Sequence, residues 1–185
     1  MIPGSLSSAT IDVHVRGLYA VNNLAAGIHS GYIFLSPNPA ANYFGSYLPK
    51  LGSFFSLYQY TRFNLIKVTY VPTVATTTTG TMAVGFNPDV RAIAVGAGST
   101  ATLIGGLHVS CVSDVKGGFT ITLPGKMLHE TSSMYGPWLT NNAAASYEQQ
   151  GEGVLQYATE NSLAGAAPVG FLQFDVSLTF REFKP

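Results

Sequence analysis

The chain has 185 residues, a length that one all-β sandwich domain reaches undivided. Only 10% of them are charged, against about 25% in an average soluble protein, and the formal net charge is zero. A lone monomer with so little charge is prone to association, whereas a subunit with neighbours on several sides needs few solvated groups. The plainer alternative is a neutral, Gly-rich secreted β-protein.

Side chains alternate across a strand with period two, so Ile11, Val13 and Val15 against Asp12, His14 and Arg16 predict a first strand. Gly31 to Leu35 predicts a second, terminated by Pro37 and Pro39. Residues 40–51 read as a loop. Ser53 to Gln59 lacks alternation and sets Phe54, Leu57 and Tyr58 at helical spacing, which predicts a short helix. Phe63 to Val71 follows as a strand, with Ile66, Val68 and Tyr70 on one face and Leu65, Lys67 and Thr69 on the other. Pro72 and Gly80 bracket a broad bend containing Thr76, Thr77, Thr78 and Thr79. The return strand then sets Met82, Val84 and Phe86 against Thr81, Ala83 and Gly85.

Beyond Asp89 the Ala- and Gly-rich run 92–106 has no strand period, and Ser99 to Ile104 fits a helical turn. Leu107 to Val112, Gly118 to Leu123 and Gly153 to Thr159 predict three further strands. The last strand is the clearest. After Gly170, the residues Leu172, Phe174, Val176, Leu178 and Phe180 alternate without an error with Gln173, Asp175, Ser177, Thr179 and Arg181. Eight strands, two short helices and no repeat of fixed length predict an all-β chain and fit an eight-stranded antiparallel jelly-roll β-sandwich with short helices in its connections.

Little in the chain points to catalysis. His14, His29, His108 and His129 are scattered without metal-ligand spacing, which predicts structural or interface roles for them. There is no GxSxG, HExxH or phosphate-binding Gly-Lys-Ser/Thr loop, and the expectation is a protein that is not an enzyme. Cys111 stands alone, which excludes an intrachain disulfide and a Cys-based zinc site and predicts folding in the cytosol. The opening MIPGSLSSAT lacks the pattern of a secretory leader, and no window approaches the ~18 apolar residues of a membrane span.

Several segments read as one wording. Tyr58, Tyr60, Arg62 and Phe63 form a Tyr-x-Tyr-x-Arg-Phe segment, followed by Val68-x-Tyr70-Val71-Pro72, the Thr-rich bend, Gly80 and a closing Phe86-Asn87-Pro88-Asp89. Phe119 to Pro124 leads to Tyr135-Gly136-Pro137-Trp138, and the chain closes with a glycine, the long alternating strand and Pro185. Over most of residues 30–185 this resembles the shell domain of coat proteins from small icosahedral positive-strand RNA viruses, the sobemovirus and tombusvirus type.

The resemblance implies a capsid protein that assembles in the host cytoplasm, in many copies, into a virion with a T=3 icosahedral shell around genomic RNA. It supplies the jelly-roll topology, which alternation alone does not establish. Residues 1–28 are then the N-terminal segment and first strand, and residues 29–185 the remainder of a single shell domain. No protruding domain is expected, because Pro185 stands where the hinge to one would begin.

The resemblance also implies chemistry at particular residues. In such coat proteins the loop after the return strand supplies two aspartates that bind calcium between subunits, three residues apart in the sobemovirus version. This chain has Asp89 but Ala92 at the second position, with Arg91 between them. Asp89 is therefore either a weak calcium ligand or a residue that caps a turn or pairs with an arginine. Relatives also carry a basic N-terminal arm for RNA, yet no Lys or Arg precedes Arg16 here. Scattered Arg16, Arg62, Lys67 and Lys116 are the candidate RNA-facing groups, unless an arm lies outside this sequence or other cations neutralise the genome. Tyr58, Tyr60, Phe63, Tyr70 and Phe86 read as core and interface packing. Trp138 and Tyr135 are candidate subunit-interface anchors. The rival from another class is a carbohydrate-binding jelly-roll module that uses Trp138, Tyr135 and the Asn141-Asn142 loop. A cupin-like enzyme is third.

Overall fold

A computed structural model describes residues 10–22, 27–89, 104–131, 139–141, 151–161 and 168–184. In chain order its elements are β1 (Thr10–Asn22), β2 (Gly27–Phe34), α1 (Phe44–Tyr47), α2 (Pro49–Leu57), β3 (Tyr58–Pro72) and β4 (Gly80–Asn87). Then come β5 (Val109–Asp114), β6 (Phe119–Pro124), α3 (Gly125–Thr131), β7 (Leu139–Thr140), β8 (Val154–Asn161) and β9 (Pro168–Phe183).

Sheet A runs β1-β9-β3-β6, with the two residues of β7 also paired to β3, and sheet B runs β2-β8-β4-β5. Every ladder is antiparallel. The chain crosses between the sheets at each step except β4 to β5 and the small β6-to-β7 step, and this winding is the jelly roll. All eight expected strands are present. The additional β7 is too short to show alternation.

β9 lies between β1 and β3, so its inward residues Leu172, Phe174, Val176, Leu178 and Phe180 are all fully buried. Phe174 meets the Phe44 ring edge-on at 4.7 Å between centroids, and Phe180 stacks on Phe54 at 5.1 Å. On β3, Ile66, Val68 and Tyr70 face the same core, as their period demands. Phe63 pairs with Leu178 and Leu65 with Ser177, which leaves Asn64 as one extra residue. That bulge lets Phe63 and Ile66, three positions apart, both point inward.

Tyr70 crosses the core with its hydroxyl 2.7 Å from the Val115 carbonyl and 3.1 Å from that of Val169. Burial, with a smaller contribution from the Asp114 charge, pushes this phenol up to about 12. Burial also raises Tyr157, whose hydroxyl shares a 2.5 Å hydrogen bond with that of Tyr19.

The connections depart from the sequence reading. Residues 44–47 and 49–57 are helical where the sequence predicts a loop up to residue 51, and Tyr58 and Gln59 already belong to β3. Pro49 at the first helical position and the buried i, i+4 pair Leu51 and Phe55 are the reason. α3 has no counterpart among the expected elements, because seven residues are too few for a helical period to show. Leu107 belongs to a turn, its N–H bonded to the Ile104 carbonyl at 3.0 Å, so β5 begins two residues later than expected. That turn also covers sheet B. Ala83 and Gly85 are buried beneath Ile104 and Leu107, and a Cβ on Gly85 would stand 2.8 Å from the Ile104 carbonyl oxygen. Their small size is a packing requirement on the outer side of β4.

Candidate functional site

The residues of β1, β9 and β3 that point away from the core form one face, whose neighbours are set by register. Arg16 on β1 and Lys67 on β3 both stand opposite Asp175 on β9. Arg16 Nε donates to Asp175 Oδ2 at 3.2 Å, and His14 Nε2 donates to Oδ1 of the same carboxylate. Two outward positions along, past Ser177, Asp12 and Arg62 both stand opposite Thr179, whose hydroxyl donates to Asp12 Oδ1 at 2.5 Å. Arg181 closes this end with its guanidinium 4.9 Å from the centroid of the Tyr60 ring and its Nε 3.6 Å from Glu182 Oε1.

Three of the four sequence-chosen cations, Arg16, Arg62 and Lys67, thus share the outer face of sheet A. Lys116 does not. It sits in the turn between β5 and β6, with Nζ 3.5 Å from Asp114 Oδ2. The sequence reading missed Asp175, His14 and Arg181 as members of the cationic face. Each is visible as an outward residue of its own strand, but nothing local says that β9 runs between β1 and β3. Among the predicted packing aromatics, Tyr58, Phe63, Tyr70 and Phe86 are buried, while Tyr60 lies half-buried beneath Arg181.

Sheet B differs in charge. Pairing of Thr81 with both Glu160 and Asp114 puts these acids on its outer face. Among the described residues that face carries no Lys or Arg.

Asp89 follows the end of β4 and is exposed, with its N–H donating to Asn87 Oδ1 at 3.0 Å in a short side-chain turn. Among the described residues no group of three or more His, Cys, Asp or Glu could hold a metal ion. Calcium takes about six to eight oxygens, and one carboxylate beside an engaged Asn87 does not fit that set within a single subunit. Arg91, Ala92, Tyr135, Trp138 and Asn142 lie outside the described residues. Asn141 is described, and its side chain is buried, accepting from Thr61 Oγ1 at 2.7 Å and donating to the Tyr58 carbonyl at 3.0 Å. This removes Asn141 from the sugar platform of the rival reading. Among the described residues no helix is long and apolar enough to cross a membrane.

The profile of the family described as viral coat protein (S domain) matches residues 14–182, from the middle of β1 to the end of β9. The chain belongs to the viral coat protein family. Its role is that of a capsid protein, and membership supports a structural function. No curated protein sequence matches it. Solved structures similar to it include melon necrotic spot virus, with a TM-score of 0.73 at 18% identity, covering 95% of this chain and 56% of that one. Tobacco necrosis virus gives 0.71 at 15%, covering 95% and 98%. A semi-empty virus-like particle of the giant freshwater prawn Macrobrachium rosenbergii nodavirus gives 0.71 at 12%, covering 98% and 99%. At these identities the likeness concerns the fold. The chain spans little more than half of the melon necrotic spot virus and cucumber leaf spot virus chains, at 56% and 58%.

Given the Asp89 geometry, chelator at neutral pH is expected to swell or dissociate assembled shells of this protein much less than those of calcium-bound relatives. Asp89→Asn is expected to change assembly only slightly. Ions found at subunit interfaces with Asp89 as ligand, or chelator-induced swelling abolished by Asp89→Asn, would restore calcium as the cement.

Proposed function

We infer that this chain self-assembles into an icosahedral shell that encloses an RNA genome, with the outer face of sheet A turned toward the RNA. The match to a coat-protein family over residues 14–182 carries the first part of this reading. The scarcity of charge agrees with it, since a subunit with neighbours on several sides needs few solvated groups. The second part rests on the difference between the two sheets. Sheet A presents Arg16, Arg62 and Lys67 on its outer face, while sheet B presents Glu160 and Asp114. A polyanion favours the first, because phosphate binding is driven by the counterions that Lys and Arg displace. Lys116 lies in the β5–β6 turn, paired with Asp114, and takes a lesser part. T=3 symmetry and assembly in the host cytoplasm complete the proposal.

Purified protein near neutral pH is expected to scatter light as particles many times the mass of one chain and to appear as shells by electron microscopy. Monomers or dimers under all mild conditions would sink the assembly reading. Shells that form normally after Arg16→Gln, Arg62→Gln and Lys67→Gln but lack RNA would support the orientation.

A further inference from the structure

Asp175 is an acid placed in the middle of a cationic surface, opposite Arg16 on one side and Lys67 on the other. Arg16 holds one carboxylate oxygen and His14 the other. With His14 neutral, Arg16 and Lys67 against Asp175 leave this cluster one net positive charge; with His14 protonated it carries two. We propose that Asp175 is a built-in competitor for RNA phosphate and that His14, by taking up a proton and satisfying Asp175, frees Arg16 to join Lys67, its neighbour across β9, in holding the polyanion. The sheet A surface then binds RNA more tightly in mildly acidic solution than at neutral pH. The proposal rests on the genome-facing reading of sheet A.

The geometry leaves few other groups to confuse the effect. On its own strand His14 is flanked on this face by Asp12 and Arg16, and β1 is the edge strand of sheet A among the described residues. From β9 the groups on this face are Asp175, Ser177, Thr179 and Arg181, and from β3 they are Lys67 and Arg62. Asp12 is engaged by the Thr179 hydroxyl, and Arg181 lies over Tyr60 beside Glu182. His14 is the one residue of this set whose type changes charge between about pH 5 and pH 8. More than half of its side chain is exposed, at 55%, so protons reach it freely.

The test measures binding of the 185-residue chain to a short oligouridylate, whose bases do not titrate in this range, by fluorescence anisotropy. Each phosphate contact to a single strand adds about 0.7 to the slope of log affinity against log salt, which is about a fivefold gain in affinity at ~0.1 M salt. Wild-type protein is expected to gain about that factor, and the steeper slope, on going from about pH 7.5 to about pH 5.5. His14→Gln should lose most of the gain. Asp175→Asn should bind at neutral pH as tightly as wild type does in acid. If His14→Gln keeps the wild-type pH response while Arg16→Gln with Lys67→Gln weakens binding, the switch is wrong and the genome-facing surface stands. If the double substitution leaves affinity and salt slope unchanged, the surface reading itself fails and takes the switch with it.

Discussion

Val176→Asp is expected to abolish soluble folded subunit, while Gln173→Asp, three residues away on the same strand, should leave it folded with a modestly lower melting temperature. Val176 is fully buried and stands between Val15 of β1 and Ile66 of β3, both themselves core residues. A carboxylate there has no water and no partner. Burying an uncompensated charge costs several kcal/mol even after relaxation, against a total stability of about 5–15 kcal/mol for a domain of ordinary stability. Gln173 points the other way, opposite Leu18 and Thr69 on the half-exposed outer face. Soluble yield and thermal melting of the two variants check this. Equal behaviour would mean that the register of β9 is wrong.

The contrast between those two residues was legible in the sequence, because β9 is buried on one side only and its period is uninterrupted. The same holds for Ile66, Val68 and Tyr70 on β3. Legibility failed where a second constraint acts on the same residues. Ala83 and Gly85 read as an ordinary outward face, yet they lie under Ile104 and Leu107, a contact with no local signal. Phe63 fell on the core face only because Asn64 bulges, and a bulge shifts the period without announcing itself. The candidate site shows the same division. Arg16, Arg62 and Lys67 could be picked singly as cations on outward positions. That Arg16 and Lys67 flank Asp175, and that His14 reaches the same carboxylate, follows from β9 pairing with strands more than a hundred residues distant. Such pairing is a property of topology, and one sequence does not contain it. Asn141 is the converse case. It read as a loop residue available to a ligand, while its amide is consumed in joining β7 to β3.

Gly170→Ala should be strongly destabilising even though the position reads as a plain strand start. Where the backbone accepts it without strain, Gly→Ala ordinarily helps slightly by restricting the unfolded chain, by about 0.4–1 kcal/mol. Here a Cβ would stand 2.5 Å from Tyr70 Cε2 and 2.6 Å from the Val71 carbonyl oxygen, distances that real Cβ atoms do not show. The ring has no room to withdraw. Its hydroxyl is tied to the Val115 and Val169 carbonyls, and the Phe119 ring lies 5.5 Å from it between centroids. The backbone of β9 is equally fixed, since Gly170 pairs with Val21 on one side and Pro72 on the other. Overpacking of this kind costs about 1–3 kcal/mol or more, so the sign of the change separates this account from the general rule. Urea unfolding of dissociated subunits measures it. Tyr70→Leu alone loses a buried ring and a hydroxyl that holds two carbonyls, and it too should destabilise. Because it also vacates the space that the added methyl group needs, the double variant should be more stable than the sum of the two single losses predicts. Strict additivity, or a neutral Gly170→Ala, would show that Tyr70 is not what requires glycine at this position.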